Sequence, residues 1–120
     1  MEDGTSDTLR VRFPAALDYL RIGRVAVAGL ALRLDVDVQR VENLRLAVDA
    51  GVEALSGGGE IEVRATWEPG LLNIEIENAA AAVSPDQRTI LTEQLIDLVD
   101  RVEIDVHRID LQLSSDSGDN

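Results

Sequence analysis

Polar and apolar residues alternate with a period of two in several parts of this chain, and each such run predicts a half-buried strand. The first run is Thr8 to Phe13. Two more, residues 61–67 and 72–76, flank Glu68-Pro69-Gly70 and predict an antiparallel hairpin closed by a tight turn. In residues 102–113 the alternation changes phase around His107, which indicates either a very tight hairpin or one strand with a bulge.

Apolar residues recur at three- and four-residue spacing in the remaining segments, and this period predicts helices over residues 17–34, 38–55 and 86–100. Asp37 is the predicted N-cap of the second helix. Three glycines, Gly57 to Gly59, end it, because glycine tolerates the left-handed conformation of a helix terminus. They lack the lysine and the Ser or Thr of a phosphate-binding loop, so a plain connector is the prediction.

The order of these elements predicts an α+β fold. It is a two-layer sandwich with three helices packed on one face of a mixed, mostly antiparallel sheet. We expect one domain over residues 8–113, with an acidic tail over residues 1–7 and a polar tail over residues 114–120.

Charge and composition narrow the choice of partners. With 120 residues and a net charge of -12, the chain repels nucleic acids and anionic membranes, so a basic protein surface is the expected partner. The absence of cysteine excludes thiolate metal sites, and the absence of lysine excludes a lysine phosphate clamp. The first residues lack the basic and apolar regions of a signal peptide, so a cytoplasmic location is expected.

The second predicted helix contains Leu46-Ala47-Val48-Asp49-Ala50, and the first contains Gly23-Arg24-Val25-Ala26-Val27 after Phe13-Pro14-Ala15. Over residues 8–113 the chain resembles the anti-sigma factors of the serine-protein-kinase type, small members of the GHKL or Bergerat-fold ATPases. The resemblance implies a histidine-kinase-like ATPase fold. In that family the helix reads Leu-Ala-Val-(Asp/Ser)-Glu-Ala-x-x-Asn-Ala, where Glu activates the attacking group and Asn holds Mg²⁺.

On that pattern Ala50 stands in place of the catalytic Glu and Ala54 in place of the magnesium-binding Asn. A rival alignment, shifted by one residue, places Asp49 at the Glu and Glu53 at the Asn of the motif Glu-Ala-x-x-Asn. It is disfavoured, because a shift of one residue rotates a helix by about 100° and turns its apolar stripe off the sheet. We therefore interpret Asp49 and Glu53 as a solvated or partner-facing acidic pair.

Two further motifs of the family are also changed. Where it has Asp-x-Gly for the adenine amino group, this chain has Asn78-Ala79-Ala80, so the charge is lost and Ala80 adds a methyl group. Residues 79–91 contain no glycine for a phosphate-binding lid. The expectation is a pseudo-ATPase, or pseudokinase, with no catalytic residue, no metal and no cofactor. Mg-ATP enters only under the rival alignment.

The family uses an arginine of the first helix to bind a sigma factor or its antagonist, and it dimerises through the first strand and first helix. The resemblance places the arginine at Arg24, with Arg21 one turn earlier. The structural alternative is that both are solvated helix arginines. His107 has no second histidine, cysteine or serine marking a partner for it, so we interpret it as a surface residue.

Three hypotheses follow. The first is a non-enzymatic anti-sigma-like regulator of transcription that binds a sigma factor or an anti-sigma antagonist, with a homodimer as the implied assembly. The second is an ATP-dependent serine kinase with an unusual site formed by Asp49 and Glu53. The third is an assembly module unrelated to transcription.

Overall fold

The computed structural model describes residues 7–16, 19 and 38–114. These residues form five strands and two helices: β1 (Asp7–Pro14), α1 (Val38–Ala54), β2 (Glu60–Glu68), β3 (Leu71–Glu77), α2 (Pro85–Leu95), β4 (Arg101–Ile104) and β5 (Arg108–Ser114). The strand order is β1-β2-β3-β5-β4, and every pairing is antiparallel. The α+β class is confirmed, whereas the described sheet is antiparallel throughout rather than mixed. The first predicted helix, residues 17–34, lies outside the described residues apart from Tyr19.

The alternating strands each bury one face. The buried side chains of the sheet are aliphatic apart from Phe13: Phe13, Ile61, Val63, Ala65, Leu72, Ile74, Ile76, Ile109, Leu111 and Leu113. The residues between them carry charges or amides and form the opposite, outer face. Both described helices contribute buried residues to the same core as the aliphatic face, so they lie on that side of the sheet.

Helix α1 lies close to the sheet because one of its buried positions is a glycine. A Cβ atom built on Gly51 would come within 2.8 Å of Ile76 Cδ1 and within 3.6 Å of Ile109 Cδ1. The helix buries Leu44, Ala47 and Val48 on the same stripe, as its spacing predicts. It ends at Ala54, one residue before the predicted end. The predicted cap, Asp37, lies outside the described residues.

Helix α2 begins with a capping box and ends earlier than predicted. Ser84 Oγ accepts from the Gln87 N–H, the Gln87 side chain accepts from the Ser84 N–H, and Pro85 occupies the first turn. The helix stops at Leu95 and not near residue 100. Asp100 donates its N–H to the Gln112 carbonyl at 2.9 Å, so the chain has already turned towards β4.

Both hairpins have two-residue loops. In the first, Pro69 and Gly70 connect β2 to β3, and Gly70 has φ of +82°, as this turn requires. In the second, Ile104 pairs with Ile109 and Asp105 donates its N–H to the Arg108 carbonyl at 2.7 Å. The loop is therefore Val106-His107. Opposed residues in an antiparallel pair share a face, so this hairpin explains the change of phase, and the bulged single strand is wrong.

Candidate functional site

Ala50 and Ala54, where the resemblance would place a catalytic Glu and a magnesium-binding Asn, lie together in a groove. Ala50 and Ala54 project from α1 towards α2, and the groove between the helices encloses about 250 Å³. Its lining residues come from these two helices: Ala50, Glu53, Ala54, Gln87, Ile90, Leu91 and Gln94. Because residues four apart lie one above the other on a helix, α1 contributes two methyl groups to one wall.

The groove is apolar at its floor and polar at its rim. Leu91 is buried beneath it, whereas Ile90 is 66% exposed at its edge. Glu53 of α1 is exposed and contributes a carboxylate to the rim. The side chain of Gln87 already accepts a hydrogen bond in the capping box of α2. Of the acidic pair Asp49 and Glu53, Glu53 lines the groove and Asp49 does not. Such a surface suits apolar side chains of a partner more than a triphosphate.

Asn78, the expected adenine-binding position, uses its side chain inside the protein. It is 2% exposed and, among the described residues, is the one polar side chain in the buried core. Its amide nitrogen donates to the carbonyls of Leu55 and Gly58, each at 2.8 Å, and its Oδ1 accepts from the Ala80 N–H at 2.9 Å. The carboxamide thus links the end of α1, the glycine connector and the segment after β3.

The main chain of Asn78 is paired as well. Its N–H donates to the His107 carbonyl at 3.0 Å, and its carbonyl accepts from the Ala81 N–H at 3.2 Å. An amide side chain has two donor hydrogens and one acceptor oxygen. In Asn78 these three groups, and the main-chain N–H and carbonyl, each have a hydrogen-bond partner within the protein. A carboxylate could not replace it, since two of its three side-chain partners are carbonyls.

The glycine connector fits closely against this residue. Gly57, Gly58 and Gly59 all have positive φ, and a Cβ on Gly59 would lie 2.6 Å from Ala80 Cβ and 2.8 Å from Asn78 Oδ1. Ala15 donates its N–H to the Gly59 carbonyl and accepts from the Gly57 N–H. The glycines are therefore a compact link between helix and strand, as their position predicts.

His107 lies in the β4–β5 turn and contacts the segment that follows β3. Its Nδ1 is paired with the Ala81 carbonyl, which can only accept, so Nδ1 carries the proton. The neighbouring Val106 carbonyl accepts from the Val83 N–H at 2.8 Å. The ring is exposed, and its position in the turn gives it a structural role in attaching residues 78–83 to the hairpin.

The six positions that the resemblance assigns to a nucleotide site or a partner-binding site separate into three groups. Ala50 and Ala54 line the groove, and Asn78 and Ala80 lie against the glycine connector. Arg21 and Arg24, the expected partner-binding residues, lie outside the described residues. Within residues 7–16, 19 and 38–114, no group of three or more histidine or acidic side chains is arranged to hold a metal ion, and no helix is long and apolar enough to cross a membrane.

The sequence did not reveal a charged row on the outer face of the sheet. Asp110 lies between Glu75 and Glu103 on neighbouring strands, because the register pairs it with both. Partial burial raises the pKa of Asp110, with Glu75, Glu103 and Asp105 adding to the rise and Arg108 opposing it. Alternation alone places these residues on the outer face, but only the strand order shows which of them are neighbours.

No protein-family model matches this chain, and no curated protein matches it. The class that the fold defines is an α+β protein with a five-stranded antiparallel sheet and helices on one face.

Proposed function

We propose that this protein is a non-enzymatic regulator of the anti-sigma type, which binds a sigma factor or an anti-sigma antagonist on a degenerate Bergerat-type scaffold. The observation that carries the proposal is the groove between α1 and α2. Two methyl groups, from Ala50 and Ala54, line the wall where the resemblance expects a catalytic carboxylate and a magnesium ligand. A wall of this kind offers nothing to activate an attacking group or to hold Mg²⁺.

The hydrogen bonding of Asn78 supports the same proposal. An adenine-binding residue must present its polar atoms to the ligand, and here all of them are directed to Leu55, Gly58 and Ala80. Exposing the amide to a nucleotide would leave the Leu55 and Gly58 carbonyls without this donor. The cost is about 1–3 kcal/mol for the buried Leu55 carbonyl. We therefore infer that the side chain of Asn78 has a structural role and does not bind a ligand.

The first experiment is isothermal titration calorimetry of the protein with Mg-ATP and with Mg-ADP. The expected result is no measurable binding at millimolar nucleotide. Saturable binding with a dissociation constant in the micromolar range would overturn the pseudo-ATPase proposal.

The second experiment is purification of the tagged chain from its native host, followed by identification of the bound proteins. A sigma factor or an antagonist of an anti-sigma factor is the expected partner. Recovery of partners with no role in transcription would favour the third hypothesis, an assembly module.

Arg24 is the proposed partner-binding residue, with Arg21 three residues before it in the sequence. Arginine binds carboxylates with two parallel hydrogen bonds, so a change of sign should remove the contact. We expect Arg24→Glu to abolish capture of the partner. Arg45→Glu is the matched control, because Arg45 is an exposed helix arginine paired with Glu42 at 2.9 Å. Equal capture by both variants and the wild type would refute the assignment.

One observation favours the kinase alternative. Glu53 lines the groove, so a carboxylate is present at its rim even though Ala50 and Ala54 provide none. Under this alternative Glu53→Gln abolishes phosphate transfer from Mg-ATP to a serine of the partner. A phosphorylation assay with the captured partner separates this alternative from the first proposal, which predicts no transfer by either form.

A further inference from the structure

Helix α2 exposes a large apolar side chain at the edge of the groove between α1 and α2. Ile90 is 66% exposed, and it lines the groove together with the methyl groups of Ala50 and Ala54 on the α1 wall. Leu91 is buried beneath it. A single exposed isoleucine is common on protein surfaces, but an isoleucine that adjoins a concave apolar surface is typical of an interaction site.

The groove is small for a site that encloses a whole ligand. Its volume is about 250 Å³, whereas pockets for small molecules usually enclose about 300–1,000 Å³. Its α2 wall extends from Gln87 to Gln94, a length of about 10 Å, because each helical residue rises by about 1.5 Å. These dimensions fit a few apolar side chains that project from one longer ligand.

Both walls of the groove are helices, and this determines the conformation that a bound chain adopts. The main-chain N–H groups of the lining residues donate within α1 and α2, or, for Gln87, to Ser84 Oγ. The carbonyls of an extended peptide would therefore find no main-chain donor in the groove. A helix pairs its own main chain and presents only side chains, so a helix is the conformation that fits.

Both edges of the groove carry carboxylates. Glu53 lies on the α1 side. On α2, Asp86 is four residues before Ile90 and Glu93 is three residues after it, so both share the side of the helix that carries Ile90. All three carboxylates are exposed. Among the described residues, no arginine is within ion-pair distance of any of them.

The arginines of α1 and α2 do not offset these carboxylates. Arg88 projects from the far side of α2, because it is two residues from Ile90 and two residues turn a helix by about 200°. The arginines of α1 are engaged in ion pairs outside the groove: Arg40 with Asp100 and Arg45 with Glu42. The net charge of -12 adds a long-range attraction for a basic ligand.

We propose that the groove binds a basic amphipathic helix of a partner protein. Apolar side chains three or four residues apart on that helix lie in the groove against Ile90 and the two alanine methyl groups. Arginine or lysine side chains beside them pair with Glu53, Asp86 and Glu93. The apolar contacts supply affinity, and the charges set orientation and association rate. This inference rests on the proposed function, under which the groove holds no nucleotide, and it names the chemistry of the segment that docks.

The probe is a synthetic, fluorescein-labelled peptide of about 18 residues, long enough to form a helix. It has leucine at every third or fourth position, arginine beside the leucine stripe and alanine elsewhere. One comparison peptide has the same composition in an order that removes the stripe, and another has glutamate in place of each arginine. Fluorescence anisotropy with the purified full chain should give a dissociation constant of about 1–100 µM for the probe, and binding at least about tenfold weaker for the other two.

Ile90→Ser and Ile96→Ser are matched variants that test the apolar contact. Both isoleucines are exposed, at 66% and 55%, but Ile96 does not line the groove, since six residues turn the chain by about 240° around the helix axis. We expect Ile90→Ser to raise the dissociation constant of the probe about tenfold, and Ile96→Ser to change it less than about twofold. Equal effects of the two variants would overturn the proposal. Circular dichroism establishes that each variant is folded.

Glu53→Gln and Glu68→Gln are matched variants that test the charge at the edge. Each removes one exposed carboxylate, but Glu68 lies at the end of β2 and does not line the groove. We expect Glu53→Gln to raise the dissociation constant of the probe about threefold or more, and Glu68→Gln to change it less than about twofold. Equal effects would show that the peptide responds to net charge alone and would overturn the proposal.

The remaining outcomes separate this inference from the proposed function. No binding of the probe at about 1 mM protein would overturn the inference and leave the proposed function intact. Millimolar Mg-ATP should leave the bound peptide in place, and displacement by Mg-ATP would refute the proposed function together with the inference. Sedimentation velocity of the chain alone tests a second copy as the occupant: a dimer that Ile90→Ser dissociates would overturn the proposal.

Discussion

The amide nitrogen of Asn78 donates a hydrogen bond to the carbonyl of Leu55 at 2.8 Å and so joins the end of α1 to the segment that follows β3. The same nitrogen donates to Gly58, and the side-chain oxygen accepts from Ala80. The identity of this residue is therefore set by two carbonyls that accept hydrogen bonds from a side chain that is itself only 2% exposed.

Asn78→Asp should destabilise the protein severely. The new carboxylate oxygen would face the Leu55 and Gly58 carbonyl oxygens and could donate no hydrogen bond to them. Placing a buried hydrogen-bond acceptor against other acceptors lowers the free energy of unfolding by about 3 kcal/mol or more. Urea unfolding followed by circular dichroism measures the loss. Asn73→Asp is the matched control, since Asn73 lies half-buried on the outer face of the same strand, and should cost under about 1 kcal/mol. Similar losses in the two variants would contradict this role of Asn78.

Gly59→Ala should cost more than Gly70→Ala. Both glycines have φ near +80°, so each alanine incurs about 1–2 kcal/mol of backbone strain. Only Gly59 adds a steric clash, with Ala80 and with Asn78 Oδ1, worth about another 1–3 kcal/mol. Thermal unfolding of the two variants measures the difference. If Gly70→Ala were the more damaging, the close packing of the connector would be refuted.

Introducing into the groove the two side chains that the resemblance expects should not create nucleotide binding. We expect Ala50→Glu with Ala54→Asn to bind no Mg-ATP by calorimetry, because residues 79–91 still contain no glycine for a phosphate-binding lid. Circular dichroism checks that the double variant is folded. Micromolar affinity in this variant would show that the two side chains suffice and that the missing lid matters little.

Asp110→Asn should stabilise the protein at neutral pH, and the gain should shrink on acidification. Burial raises the pKa of Asp110 in the folded state, so the proton binds more tightly there than in the unfolded chain. Ionisation of Asp110 therefore destabilises the folded protein. This destabilisation is absent below the unfolded pKa of 3.8 and develops as the pH rises through the folded pKa. Thermal unfolding of dilute protein at pH 3 and pH 7 measures it. A gain independent of pH would refute this account.

The strands and α1 could be predicted because each buries one face, and a single buried face imposes its period on the sequence. The alternation in β2 and β3 and the helical spacing of Leu44, Ala47 and Val48 record that burial directly. The turn Pro69-Gly70 could be predicted for a local reason, since its dihedral angles require those residue types.

One prediction, the end of the third helix, was wrong, and one alternative that the sequence left open was decided by strand pairing. The apolar spacing continues past Leu95 to Leu98 and Val99, yet α2 ends at Leu95, and Asp100 already pairs with Gln112 of β5. The pattern at His107 allowed a bulge or a hairpin, and the pairing of Ile104 with Ile109 decided for the hairpin.

The sequence by itself determined the α+β class and the aliphatic face of the sheet, because these depend on residue type and period. It also determined that positions 50 and 54 carry only methyl groups, because that depends on residue type alone. Only the tertiary structure decided which strands are neighbours, that Ala50 and Ala54 line one groove, and that the amide of Asn78 is used within the protein. The reason is physical: a hydrogen bond between residues 23 positions apart, or a carboxylate beside another on the next strand, depends on how the chain is brought together in space.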